Sequence, residues 1–140
     1  MGRPSVRRFA LTLPRIRGAG LVLIVSDLFD PAPLRPALLA LRARGLDAAF
    51  LQVVANDDLD PVPGRLELID VESQARMLAG PEEVRAYRDA AQAFVRRTRA
   101  AAQQAGFVHV LLRVDVETRG LEIEREAFAA LRRARLLVPR

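Results

Sequence analysis

Three oxygen-bearing side chains crowd the end of the first apolar run: Ser26, Asp27 and Asp30, in Ser-Asp-Leu-Phe-Asp-Pro. Two carboxylates and a hydroxyl can hold a hard divalent cation such as Mg2+, although an octahedral ion wants more ligands than this loop supplies. The same residues serve as caps, Asp27 for loop amides and Asp30 for the helix that follows. A second cluster, Asn56, Asp57, Asp58 and Asp60, has the acidic front of a calcium loop. It has no Gly at the sharp turn and no closing Glu, so it reads as a solvated turn. His109 is the one histidine, between Val108 and Val110, and is expected as a partly buried structural residue on a central strand. Ser26 sits in Val-Ser-Asp, not in the Gly-x-Ser-x-Gly of a nucleophile elbow. Gly18-Ala19-Gly20 precedes a strand, whereas a phosphate-binding glycine loop follows one. Glu122, Glu124 and Glu126 spread around a helix and suit solvation. No catalytic set is complete, so a non-enzymatic protein without a cofactor is expected.

Absent residue types narrow the chemistry further. The chain has no cysteine, which excludes disulfides, thiolate metal sites and a cysteine nucleophile and fits a reducing, cytoplasmic setting. It has no lysine either: all 22 basic residues are arginine, so Schiff-base chemistry and the P-loop are excluded. The net charge of +5 is localised. Residues 1–19 hold Arg3, Arg7, Arg8, Arg15 and Arg17 and no acid, while 17 arginines and 17 acids cancel in the remainder. Phe9 is the only aromatic in that arm, which argues against base stacking and hence against nucleic-acid binding.

The elements that must position these residues follow from the hydropathy pattern. The 140 residues suffice for one core. Residues 1–19 read as a basic, irregular leader with a short helix near residues 6–13. Leu21, Val22, Leu23, Ile24 and Val25 form a run without alternation, the mark of a strand covered on both faces. A helix is expected over 34–44, with Pro33 and Pro36 in its first turn and Gly45 as its stop. Residues 48–54 make a second buried strand, and 65–70 and 75–78 two short strands joined by a turn at 71–74. Gly80-Pro81-Glu82-Glu83 opens the longest helix and Gly106 ends it. Its inward stripe is Val84, Tyr87, Ala91, Phe94, Val95, Thr98, Ala102 and Ala105, and its outer face carries Arg88, Gln92, Arg96, Arg99 and Gln103. A third strand spans 107–113 and a last helix 121–133. The β-α-β-(β-β)-α-β-α order implies an α/β fold, a three-layer Rossmann-like parallel sheet with helices on both faces plus a small hairpin. The longest apolar run is of strand length, so no membrane span is expected.

The stretch Leu-Val-Leu-Ile-Val-Ser-Asp-Leu-Phe-Asp-Pro at 21–31 resembles the C-terminal half of the bacterial proteins called domain of unknown function 58, which carry a von Willebrand factor A-like fold. The likeness continues through Leu-Leu-Ala-Leu-Arg-Ala-Arg-Gly at 38–45, Phe-Leu-Gln-Val-Val at 50–54 and Leu-Glu-Leu-Ile-Asp-Val-Glu-Ser at 66–73. Val-Arg-Ala-Tyr at 84–87 and Ala-Gly-Phe at 105–107 also fit, so the resemblance covers roughly residues 20–135. Related A domains hold a divalent metal with ligands from three loops, and the resemblance places Asp27 at the third-loop aspartate. The Asp-x-Ser-x-Ser of the first loop does not occur before residue 20. The resemblance therefore implies a truncated domain and an incomplete, adhesion-type metal site. It also implies that Leu21 to Val25 form an open edge strand, prone to homo-oligomerise.

Two functions are expected on these grounds. The first is a protein-interaction module which, as the resemblance implies, works with a MoxR-type AAA+ ATPase in assembly or maturation of other proteins. The second is divalent-cation or small-ligand binding at the strand C-terminal ends, around Asp27, Asp30 and Asp57.

Overall fold

The computed structural model describes residues 6, 9–10, 20–29, 34–62, 67–69, 76–115, 117 and 120–136. The chain runs β1 (Gly20–Ser26), α1 (Leu34–Ala43), β2 (Leu46–Ala55), α2 (Asn56–Leu59), β3 (Glu67–Ile69), β4 (Arg76–Leu78), α3 (Pro81–Gln104), β5 (Val108–Val114) and α4 (Gly120–Arg133). β1, β2 and β5 form a three-stranded parallel sheet in that order, and β3 pairs antiparallel with β4 in a separate hairpin. The expected α/β architecture is present, with the small hairpin beside it.

Side-chain alternation along β2 explains why both faces are covered. Leu46, Ala48, Phe50 and Val54 point to the face occupied by α1 and α3. Leu51 and Val53 point to the opposite face, where Leu112 and Leu131 meet them under α4. A strand with apolar residues on both sides needs a layer on each, since about 25 cal/mol is gained per Å2 of apolar surface removed from water. Phe50, Leu38 and Leu41 are among the largest fully buried side chains and centre the larger cluster. Within the expected leader, Val6, Phe9 and Ala10 are helical, and Val6 and Ala10 are buried in that same cluster.

Helix ends follow local chemistry. α3 begins with Pro81 at its first turn and carries Glu82 and Glu83 there, where carboxylates complement the positive end of the helix dipole. It ends before Gly106, whose φ of +78° only glycine adopts without strain. Arg42 Nη1 donates to the Ala105 carbonyl at 2.6 Å and so ties the end of α1 to the end of α3.

Four sequence expectations need correction. Residues 56–59 form one helical turn, not a loop: Asp60 N–H donates to the Asn56 carbonyl at 2.8 Å, and Asp57 and Asp58 favour the first turn. His109 lies on an edge strand, because β2 occupies the centre. Tyr87 is 38% exposed, not part of the buried stripe. Partial burial, and then the nearby Asp58 charge, raise its phenol pKa. β1 is covered on one face, not two as its unbroken apolar run implied: Leu21, Leu23 and Val25 remain exposed. The expected turn at 71–74 lies outside the described residues.

Candidate functional site

The loop after β1 is built from side chains folding back on their own backbone. Ser26 Oγ accepts from the Leu28 N–H at 3.0 Å, and Asp27 Oδ1 accepts from the Phe29 N–H at 3.1 Å and from Ser26 Oγ at 3.4 Å. These bonds hold Leu28 at φ 60°, a left-handed conformation uncommon outside glycine, while its side chain stays buried. Phe29 then stacks on Phe94 of α3, with centroids 4.8 Å apart and planes 11° from parallel. Asp27 thus does what a loop cap does. Asp30 lies outside the described residues. Among the described residues, no group of three or more His, Asp or Glu is placed to hold a metal ion.

The same loop reaches the middle of the sheet. Gln52 is fully buried on β2 and its Nε2 donates to the Asp27 carbonyl at 2.9 Å. Its Oε1 lies 2.9 Å from His109 Nε2. A carbonyl oxygen can only accept, which fixes the orientation of the Gln52 amide. Its Oε1 must then accept from His109, so the imidazole carries its proton on Nε2. Among the described residues His109 Nδ1 is buried without a partner. Burial, and then the Arg99 charge, push the His109 pKa below its ordinary value. His109 therefore donates one hydrogen bond, from Nε2 to the Gln52 oxygen.

A groove opens where β2 and β5 end. Leu59, Val95 and Leu111 give it an apolar floor, and Gln92, Arg96, Arg99 and Arg113 stand around it. Its volume is about 270 Å3. Arg113 Nε donates to Asn56 Oδ1 at 2.8 Å, and Asn56 Nδ2 donates in turn to Asp115 Oδ1. Among the described residues the one acid on the wall, Asp60, is paired with Arg88 at 2.5 Å. Of the second acidic cluster, then, Asn56 and Asp60 organise arginines, while Asp57 and Asp58 face solvent. Glu122, Glu124 and Glu126 are exposed on α4, as their spacing implied.

The other distinctive surface is β1 itself. Among the described residues nothing pairs with its outer side. Leu21, Leu23 and Val25 point to the α4 face of the sheet but are 57%, 44% and 59% exposed. α4 covers β2 and β5 and leaves this stripe open.

Comparison with known proteins identifies no relative: no family model, no curated protein and no solved structure matches the chain. The resemblance to domain of unknown function 58 rests on the sequence motifs alone.

Sequence reasoning placed Asp27 correctly at a strand end but missed Gln52 and the arginine groove. One signal for the groove was present. Residues 90–114 contain no acid and four arginines, Arg96, Arg97, Arg99 and Arg113, so the helix offers them no partners of its own.

Proposed function

We propose that the protein is a non-enzymatic interaction module whose docking element is the open edge of β1. The carrying observation is a seven-residue strand, Gly20–Ser26, with no charge, no proline and three exposed apolar side chains in a row. Edges of this kind are ordinarily blunted by charge, proline or cover, because their free N–H and C=O groups recruit another strand. The occupant is an extended apolar strand, and a second copy of β1 meets that description. Antiparallel pairing about Leu23 sets Leu21 against Val25 and Leu23 against its counterpart, all on the uncovered face. Such a two-fold contact closes on itself and joins two sheets into one.

Sedimentation velocity over a wide dilution series tests this. Dimers that dissociate on dilution, and that Leu23→Arg abolishes while Leu39→Arg on the exposed side of α1 does not, are expected. A monomer at every concentration, or a dimer indifferent to Leu23→Arg, overturns the reading. A finer reading is carried by the family resemblance alone: partnership with a MoxR-type AAA+ ATPase in assembly or maturation of other proteins. Failure of the immobilised chain to retain such an ATPase overturns that part and leaves the edge-strand contact standing.

A further inference from the structure

We propose that the groove between α3 and β5 binds an organic phosphate, with the phosphate held by Arg96, Arg99 and Arg113 and the organic body lying on Leu59, Val95 and Leu111. Three guanidinium groups from two elements converge on one cavity, and like charges brought together repel unless something neutralises them. Among the described residues nothing does so. Among the described residues Arg96 and Arg99 have no hydrogen-bond or ion-pair partner. Asp60, the only carboxylate among the described residues of the wall, is engaged by Arg88.

Among the described residues Arg113 is oriented without a direct carboxylate partner. Asn56 stands between it and Asp115, taking the Nε–H and passing the acid's pull on through its own amide. Among the described residues the terminal amino groups of Arg113 meet no acceptor and are available to an outside one. Three separate forks suit the several oxygens of a phosphate better than the two of a planar carboxylate, and bidentate guanidinium–phosphate contacts are the strong kind. Gln92 adds an amide at the rim. The location agrees, since ligands of open parallel sheets bind beyond the strand C-terminal ends, and Leu59 and Asp60 close the single helical turn that follows β2. The apolar floor and a volume of about 270 Å3 leave room for a small organic body beside the phosphate.

Calorimetric titration of the full chain with phenyl phosphate, inorganic phosphate and a short oligothymidylate, at matched ionic strength, decides the matter. The expected result is saturable binding of phenyl phosphate, tighter than inorganic phosphate, weakened about tenfold or more by Arg99→Gln. Arg97→Gln removes the same charge from the same helix outside the groove and is expected to leave binding unchanged. The NMR signals of His109, the one histidine, which the Arg99 charge reaches, are expected to move with phenyl phosphate in the wild type and in Arg97→Gln. No saturable binding, equal losses in the two variants, or inorganic phosphate binding as tightly as phenyl phosphate each overturns the proposal. Oligothymidylate binding more tightly than phenyl phosphate, and lost in Arg99→Gln, overturns it in favour of a single-strand nucleic-acid site.

Discussion

Gln52 sits fully buried in a strand whose only other polar residue is the exposed Asp47, because both ends of its amide are satisfied, one by the Asp27 carbonyl and one by His109. That arrangement fixes a testable property of the imidazole. Its proton is on Nε2, and adding a second at the orphaned Nδ1 places a charge in a partly buried site facing Arg99. The folded pKa therefore lies below the unfolded value of about 6.5. Linkage then gives the sign: the unfolded chain takes up the proton first, so stability is complete above about pH 6.5 and declines as pH falls from there through the depressed folded value. Urea midpoints measured on either side of that pH are expected to show the decline in the wild type and a flatter profile in His109→Asn. Proton NMR of this single histidine is expected to give a titration midpoint below the ordinary one. Little of this was legible in the sequence. Gln52 and His109 lie 57 positions apart, and only the strand register sets them side by side.

At the scale of elements, helix stops illustrate how one residue type performs two jobs. Gly45 and Gly106 both end helices with positive φ, at +69° and +78°. Sequence reasoning found both, because glycine after a run of helical spacing is a strong stop. It could not tell them apart. A Cβ on Gly45 meets nothing within 4 Å, whereas one on Gly106 would fall 2.6 Å from Arg42 Nη1, the group that caps Ala105. Gly45→Ala is therefore expected to cost about 1 kcal/mol, the backbone strain alone. Gly106→Ala should cost about 1 kcal/mol more, since Arg42 must move and the α3 carbonyl loses its donor. Equilibrium denaturation of the two variants, with Arg42→Ala in each background, checks the difference: the Arg42 change should matter less once Gly106 is alanine. The strands and long helices were legible from periodicity because each spends most of its length on one simple pattern. The helical turn at 56–59 was not, since a four-residue element carries no period.

For the whole molecule, if the β1 edge pairs with a second copy as proposed, stability is tied to protein concentration. The melting temperature is expected to rise with protein concentration in the wild type and to be constant in Leu23→Arg, as differential scanning calorimetry would show. Charge is distributed on the same scale. The acid-free stretch at 90–114 supplies four arginines to one side of the sheet, a feature hidden by the near-neutral total beyond residue 19. The fold class was legible because alternating strand and helix patterns admit few architectures. The groove was not, because it arises only when α3 lies against β5. The buried amide on β2 has a further bearing on how such a sheet assembles. β1 and most of β2 are built from Ala, Val, Leu and other apolar residues, so sliding one along the other by two positions trades one aliphatic contact for another. That slide would carry Gln52 about 7 Å from the Asp27 carbonyl. It would strand two polar groups in the interior, at roughly 1–3 kcal/mol each. In two greasy strands that would otherwise fit in several ways, one glutamine acts as the locating pin that makes the wrong fits expensive.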